Sequence, residues 1–216
     1  MDIRGGWHLL KKAIPLWGCL FFAAGSALAG PGSAAYDSGK RLAEEGRDTE
    51  AIAAFSEALS QEPGLFDAYY RRGLCYQRTG EDEKAAADLT EAINRGERTA
   101  AMVIERGRCF QRMGRNLRAI ADFRLAREID PKDREALYSL AVAYSEFNDM
   151  ESALAEFEGL LAAFPDFGQG YADRALVFFK KNDYSRAWDD VKKAQELGVQ
   201  VSPGLLEALR NESGGR

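Results

Sequence analysis

A fixed spacing of 34 residues runs through most of the chain, and it constrains the fold more than any other feature of the sequence. One column of this spacing is alanine at all five occurrences, with no insertion or deletion between them: Ala51, Ala85, Ala119, Ala153 and Ala187. A period of roughly 20–50 residues indicates that one supersecondary unit is repeated and stacked on its neighbours. We therefore expect five similar units that bury a continuous core between them.

Each period contains two stretches in which apolar and small residues recur at helical spacing. Within residues 100–134 the first stretch contains Val103, Gly107 and Phe110, and the second contains Phe123. A glycine or asparagine, which can adopt the left-handed conformation that ends a helix, separates the two stretches at positions 46, 80, 114, 148 and 182. We predict first helices at 33–46, 67–80, 101–114, 135–148 and 169–182, and second helices at 49–62, 83–96, 117–130, 151–164 and 185–198.

This pattern resembles that of the tetratricopeptide repeat family over about residues 32–201. Shared features are the alanine column, a small residue inside each first helix, such as Gly73 and Gly107, and a proline that closes three of the repeats. The resemblance implies an all-α, right-handed superhelical solenoid with repeats at about 32–65, 66–99, 100–133, 134–167 and 168–201. The first repeat departs from the family pattern at Ala35 and Ser38 and is degenerate.

Residues 202–216 follow the array, which with a short leader occupies residues 30–201. Ser202 suits the N-cap of a helix and Pro203 suits its first position. The leucines at 205, 206 and 209 then form an apolar stripe with charged residues opposite. We predict a short capping helix and a frayed tail. The helix would cover the exposed end of the fifth repeat, because terminal caps keep solenoids soluble.

Residues 1–29 do not belong to the array. A basic front precedes the apolar run 13–29, which ends in an Ala-x-Ala pattern, the arrangement of a secretory signal peptide. We expect cleavage after Ala29 and a periplasmic or secreted protein. Two alternatives stay open: an uncleaved membrane anchor, since the run reaches the roughly 17 residues of the shortest spanning helix, and lipidation at Cys19. Membrane contact would then come through residues 1–29 alone, and all three interpretations place the repeats outside the cytoplasm.

The composition of the remaining chain excludes several functions. Three of the 29 basic and one of the 34 acidic residues lie in residues 1–29, so 26 basic and 33 acidic residues remain, a net charge near −7. This charge argues against nucleic-acid binding, which needs a basic surface. The only histidine, His8, also lies in residues 1–29. The remaining chain therefore cannot form a Ser-His-Asp or Cys-His catalytic site, and it lacks the commonest metal ligand. We expect no metal, no cofactor and no catalysis.

Cys75 and Cys109 lie 34 residues apart and therefore occupy the same seat in two consecutive first helices. Packed helix axes lie about 8–10 Å apart, whereas a disulfide requires Cα atoms about 4.4–6.8 Å apart. The equivalent seats in later repeats hold the small apolar residues Ala143 and Val177. We predict that both cysteines are buried free thiols that serve as small hydrophobes.

The resemblance implies that function resides in a concave groove lined by the first helices, where family members bind peptides or partner proteins without catalysis. The groove positions of the family fall here on Tyr70, Leu74, Gln77, Arg78, Ile104, Arg108, Gln111, Arg112, Tyr138, Val142 and Ser145, followed by Glu146, Leu176, Phe179 and Lys180. We predict that these side chains lie outside the repeat core. Apolar and aromatic residues rimmed by arginines suit an extended protein or peptide partner that is apolar with some acidic character.

Three alternatives to this scaffold are a clamp for a C-terminal carboxylate, a structural homo-oligomer and an enzyme built on carboxylates. Some family members clamp a C-terminal carboxylate, but the matching positions here hold Tyr36, Lys40, Arg71, Ala101 and Glu105, or Tyr70, Leu74, Glu105, Glu135 and Ser139, and neither set forms a clamp. Several copies of the chain could instead stack end to end through their repeats and form a structural homo-oligomer of the cell envelope. The degenerate first repeat would then be the open end that binds the next copy. An enzyme built on carboxylates would rely on Glu105, Glu135 and Glu146.

The middle of the chain is rich in arginine, with Arg95, Arg98, Arg106, Arg108, Arg112, Arg115, Arg118, Arg124 and Arg127. We interpret most of them as partners in weak pairs within helices, formed with Glu97, Glu105, Asp122 and Glu128. We expect Arg78, Arg108 and Arg112 to line the groove together. The functional alternative is an anionic partner that docks on the middle of the array.

Overall fold

The computed structural model describes residues 31–96 and 98–212, and the regular secondary structure of these residues is entirely helical. The signal peptide predicted at residues 1–29, with Cys19, and the end of the tail at 213–216 lie outside the described residues. The first helices of the five pairs are α1 (Pro31–Glu44), α3 (Phe66–Arg78), α5 (Ala100–Arg112), α7 (Arg134–Glu146) and α9 (Gly168–Lys180). The second helices are α2 (Asp48–Gln61), α4 (Asp82–Arg95), α6 (Asn116–Ile129), α8 (Met150–Ala163) and α10 (Tyr184–Glu196).

A further helix, α11 (Pro203–Glu212), follows the fifth pair. Leu205 and Leu209 of this helix are buried in one cluster with Ala172 of α9 and Val191 of α10. The predicted apolar stripe thus covers the end of the fifth repeat. None of the described helices has the length and apolar character that a membrane crossing requires.

The helix pairs confirm the predicted repeat, but the helices begin one or two residues earlier than predicted. Each first helix ends two residues before its glycine or asparagine, and these residues have positive φ angles: 74° at Gly46, 81° at Gly80, 69° at Gly114, 64° at Asn148 and 60° at Asn182. The left-handed residue stands beyond the capping residue, so the helix itself stops before it. The backbone amide that follows the left-handed residue then caps the carboxyl end of the helix. In the first repeat, the Arg47 amide donates a hydrogen bond to the Leu42 carbonyl at 2.9 Å.

Close packing of small residues against aromatic rings holds the two helices of a pair together. All five members of the alanine column are fully buried, and so are Phe55, Phe123 and Phe157 on the second helices. A Cβ atom placed on Gly107 would lie 2.7 Å from Cε1 of Phe123. Gly107 therefore admits the ring where any larger residue would collide with it, which explains the small residue at this position of the repeat.

The curvature of the array follows from which helices meet across repeats. Each first helix contacts the next first helix directly, whereas no two second helices among the described residues make comparable contact. The first helices α1, α3, α5, α7 and α9 therefore lie on the inner, concave side. We call this concave face the groove.

A buried ion pair joins the two helices in three of the repeats. Arg106 of α5 donates to both carboxylate oxygens of Asp122 in α6, and the pairs Arg72–Asp88 and Arg174–Asp190 have the same geometry. The three aspartates are buried. Arg106 is therefore an exception to the expectation that most arginines in the middle of the chain pair within their own helices, because a residue on the core-facing side of α5 reaches the neighbouring helix rather than the next turn.

The two cysteines of the described residues are free and buried, as predicted. Burial raises the pKa of the Cys75 thiol to about 11 and also raises the pKa of Cys109. Both thiols therefore stay protonated at neutral pH and act as small apolar side chains.

Candidate partner-binding groove

The eleven groove positions predicted in repeats two to four lie on α3, α5 and α7. Ten of them are partly or largely exposed, whereas Ile104 is only 3% exposed. Ile104 packs in the hydrophobic cluster that joins α4, α5, α6 and α7. The prediction that all these side chains lie outside the core is therefore wrong for Ile104, and its methyl groups are covered by protein rather than open to a ligand.

Hydrogen bonds cross-link neighbouring first helices at the amino-terminal end of the groove. Arg71 Nε of α3 donates to Asp67 Oδ2 at 2.7 Å and to the Tyr36 hydroxyl of α1 at 3.1 Å. The Tyr36 hydroxyl in turn donates to the Asp67 carboxylate. Burial, aided by the Asp67 hydrogen bond, raises the pKa of Tyr36. Tyr70, which directly precedes Arg71 in α3, is half-buried, and burial raises the pKa of its hydroxyl group as well.

The middle of the groove is polar, and its side chains form hydrogen bonds with one another and with the backbone of neighbouring first helices. Gln77 Nε2 donates to the carbonyl oxygen of Glu105 at 2.8 Å, and Gln111 Nε2 donates to Glu146 Oε2 at 2.5 Å. Arg108 donates to the carboxylates of both Glu105 and Glu135. The three glutamates that could have formed an acidic site are thus acceptors for groove side chains. Among the described residues no group of three side chains could hold a metal ion.

Arg78 and Arg112 do not join Arg108 in the groove as a cluster. Arg78 Nε lies 2.8 Å from Asp48 Oδ1, and Arg112 Nε lies 2.8 Å from Asp82 Oδ1. Each aspartate begins the second helix of the preceding repeat, so these pairs bind consecutive repeats together. The hydrogen bond from Arg78 holds the pKa of Asp48 below its usual range. Arg78, Arg108 and Arg112 are predicted to line the groove together, but two of them pair with aspartates at the junctions between repeats, so the three do not present free guanidinium groups to a ligand.

Tyr138 connects the fourth and fifth repeats. Its hydroxyl donates to Asp173 Oδ2 at 2.7 Å, and its ring packs edge-on against Phe167 with the ring centroids 5.2 Å apart. Burial, followed by the Asp173 hydrogen bond, raises the pKa of Tyr138. Val142, on the next turn of α7, is partly buried against the core of the fourth repeat. Leu74 and Ser145 are likewise partly exposed.

The carboxyl-terminal end of the groove contains an open cavity of about 500 Å³ between α9 and α11. Its floor and walls include Leu176 and Phe179 of α9 and Leu205 and Ala208 of α11. Leu176 is 39% exposed, and it is one of the few large apolar side chains of the described residues that remain open to solvent. Gln169, Asp173, Gln200 and Ser202 supply polar groups to the lining.

Sequence reasoning placed Leu176 and Phe179 in the groove but missed the second wall of this cavity. The leucine stripe of residues 205–209 predicts a cap alone. In the structure, α11 packs on the end of the fifth pair and also lines this cavity, so it both covers the core and extends the groove. The signal that could have revealed this is the offset of α11 from α9, which is close to the repeat period.

Family models match the chain along most of the array. A model described as TPR repeat matches residues 39–80, and two described as tetratricopeptide repeat match residues 67–95 and 111–176. This is a tetratricopeptide repeat protein. The matched segments include the second, third and fourth repeats in whole or in part, where the predicted groove positions lie. A comparison with the sequences of curated proteins finds no match.

Several solved structures of other proteins share the fold. YrrB, described as a TPR protein with an unusual peptide-binding site, superposes with a TM-score of 0.70 at 18% identity over 83% of this chain and 90% of its own. MamA from Desulfovibrio magneticus gives a TM-score of 0.73 at 16% identity over 77% and 94%. PilF of Pseudomonas aeruginosa gives 0.70 at 18% identity over 86% and 85%. At these identities the likeness establishes the solenoid fold.

Proposed function

We propose that this protein is an exported, non-catalytic scaffold that binds an extended segment of a partner protein along its groove. The observation that carries the proposal is the open cavity between α9 and α11, with the exposed side chain of Leu176 in its wall. Convergent apolar side chains with a few polar groups at the rim are the usual composition of a recognition pocket. A cavity of this size accommodates a large apolar side chain of the partner.

The polar part of the groove would fix the direction and register of the bound segment. Gln77, Arg108 and Gln111 already bond to neighbouring residues, yet each remains partly exposed. A partner backbone can engage the outer side of such groups without leaving a buried polar atom unsatisfied. Since Arg78, Arg108 and Arg112 are all paired with carboxylates of the protein itself, we base the chemistry of the ligand on its apolar anchor.

The comparisons support a peptide as the ligand. YrrB has a similar fold over most of both chains, and its description assigns a peptide-binding site to it. The same type of ligand fits the present groove, because the direct contacts between first helices produce a long concave surface rather than a closed pocket.

Binding should be measured with a peptide selected on the immobilised protein from a displayed random library. Leu176→Glu places a charge in the wall of the cavity and should weaken binding at least about tenfold, or about 1.4 kcal/mol. Ala162→Glu adds the same charge to an exposed site of α8 and should leave binding unchanged. Equal affinities for all three proteins would refute the groove as the site. Self-association that persists in Leu176→Glu would instead favour end-to-end assembly.

Export is part of the proposal and has its own test. We propose that residues 1–29 direct secretion and are removed after Ala29. The intact mass of the protein recovered from the periplasmic fraction should correspond to a chain that begins at Gly30. A full-length protein in the membrane fraction would favour the anchor, and a lipid-modified chain that begins at Cys19 would favour lipidation. A full-length protein in the cytoplasm would refute export.

A further inference from the structure

Charged pairs bridge consecutive repeats along the edge of the solenoid where each first helix turns into its second helix. We call this the turn edge. Arg78 reaches Asp48, Arg112 reaches Asp82 and Lys181 reaches Glu151. In each pair the two residues are 30 positions apart, with the basic residue at the carboxyl end of a first helix and the acidic residue in the first turn of the preceding second helix. The Lys181–Glu151 pair is displaced by one residue from the positions of the other two pairs. These pairs join repeats one to two, two to three and four to five.

The junction between repeats three and four departs from this pattern. At this junction the positions equivalent to Asp48 and Arg78 are occupied by Asn116 and Glu146. They cannot form an ion pair, because asparagine carries no charge. The seats that correspond to Glu151 and Lys181 hold the apolar residues Leu117 and Phe147. This junction, one of four, therefore has no ion pair at either set of positions, and it has two large apolar side chains at the second set.

Leu117 and Phe147 are not buried at this junction. Leu117 is 68% exposed and Phe147 is 46% exposed, the two highest values among the exposed large apolar residues of the described chain. If these residues served only to pack the third repeat against the fourth, the junction would cover them. They line an open cavity of about 310 Å³, together with Gly114, Arg115, Asn116 and Arg118.

The charges around this cavity are asymmetric. Arg115 and Arg118, both exposed, contribute to its wall, and the guanidinium of Arg118 lies 5.7 Å from the ring centroid of Phe110. The acidic residues nearest to Phe147 in the sequence are Glu146 and Asp149, and both accept hydrogen bonds from the protein itself. Glu146 accepts a hydrogen bond from Gln111, and Asp149 caps the start of α8 by accepting from the amide and hydroxyl of Ser152. The cavity therefore offers apolar surface and positive charge on a protein that is acidic overall.

We propose that Leu117, Phe147, Arg115 and Arg118 form a second docking surface, outside the groove, for an acidic segment of a partner protein with an apolar anchor. We call it the turn-edge patch. The anchor enters the cavity against Leu117 and Phe147, and the acidic groups face the two guanidinium groups, which suit carboxylates. The patch is small, so it supports a weak, salt-sensitive interaction. A bare phosphate group or a nucleic acid would use the arginines and leave the apolar pair unused.

The probe for this surface is a short fluorescein-labelled peptide of leucine and glutamate, with a peptide of leucine and lysine as its control. Fluorescence anisotropy should show that the protein binds the glutamate peptide and not the lysine peptide. Leu117→Glu should weaken binding of the glutamate peptide at least about tenfold. Because the Leu117 side chain is largely exposed, this change should leave the helical circular dichroism and the melting temperature unaltered, and Phe147→Ala provides a second variant with the same expected direction.

The groove variant Leu176→Glu is the internal control, since it should bind the glutamate peptide as the wild type does. Binding lost in Leu176→Glu and retained in Leu117→Glu would place the peptide in the groove and overturn the turn-edge patch. Equal binding of both peptides, or none by the wild type, would also overturn it. A wild-type dimer that Leu117→Glu converts to a monomer in analytical ultracentrifugation would identify a second copy as the occupant and refute the partner segment proposed here.

Discussion

Arg106 holds the carboxylate of Asp122 with two hydrogen bonds, of 2.8 Å from Nε and 2.7 Å from Nη2, and so ties α5 to α6 inside the third repeat. Nη1 of the same guanidinium approaches Thr90 Oγ1 of α4 at 3.3 Å. One side chain thus contacts both second helices that flank it. In the fourth repeat the position equivalent to Arg106 is occupied by the buried Leu140. The position equivalent to Asp122 is occupied by Glu156, which pairs with Arg127 of the preceding repeat.

We expect Asp122→Ala to destabilise the protein by about 3 kcal/mol, because removal of one partner leaves the other charge unpaired in a largely buried position. The Arg106 side chain is only 17% exposed. Adding Arg106→Leu, which copies the residue found at Leu140, should recover a large part of the loss. Urea unfolding followed by circular dichroism measures both variants. A double variant no more stable than Asp122→Ala would contradict this account of the pair.

Gly107→Ala should destabilise the third repeat by about 1–3 kcal/mol, the usual cost of overpacking a core. The added Cβ atom would lie 2.7 Å from the ring of Phe123, which is itself fully buried and cannot move aside. Gly159→Ala is the matched control, since its Cβ atom would meet nothing within 4 Å on the exposed side of α8. That change should stabilise the protein by about 0.5–1 kcal/mol through helix propensity. Thermal melts that shift in the same direction for both variants would contradict the packing argument.

The architecture could be predicted from the sequence because the same 34-residue pattern occurs five times. The alanine column, the turn glycines and Gly107 each belong to a pattern whose period can be counted, and the structure confirms the helix pairs they predict. The ends of the helices were placed less well, because a left-handed residue lies beyond the helix it terminates.

The groove was harder to predict than the fold, because a position in the repeat does not determine what a side chain contacts. Ile104 occupies a groove position, yet the neighbouring repeats cover it. Arg78 and Arg112 each reach an aspartate 30 residues earlier in the sequence, a spacing that no helical periodicity suggests. The cavity beside α11 depends on how a helix outside the repeat pattern packs, which is a tertiary property.

Cys75 and Cys109 should resist thiol reagents in the folded protein. The thiolate is the reactive species, and burial raises the pKa of Cys75 to about 11 and raises that of Cys109 too, so little thiolate is present near neutral pH. Alkylation with iodoacetamide followed by peptide mass mapping should find both residues unmodified in buffer and fully modified in urea. Modification of either cysteine in buffer at the rate of a free thiol would contradict the burial seen here.

The contribution of the Arg78–Asp48 pair to stability should depend on pH in one direction. The hydrogen bond from Arg78 lowers the pKa of Asp48 in the folded state, so the pair stabilises the protein above the ordinary aspartate pKa of about 3.9, and this stabilisation disappears as the pH falls through the lower folded-state value. Arg78→Gln should therefore be less stable than the wild type at neutral pH, by an amount within the range of about 0.2–1 kcal/mol for a partly exposed pair, and nearly equal to it at strongly acidic pH.

Asp48→Asn supplies the control for this titration, because the asparagine cannot ionise. In an Asp48→Asn background, Arg78→Gln should change the free energy of unfolding by the same amount at every pH. Urea unfolding across the acidic range would measure the four proteins of this cycle. A difference between wild type and Arg78→Gln that grows as the pH falls would show that Arg78 raises rather than lowers the pKa of Asp48 in the folded protein, and would contradict a stabilising bond between the first two repeats.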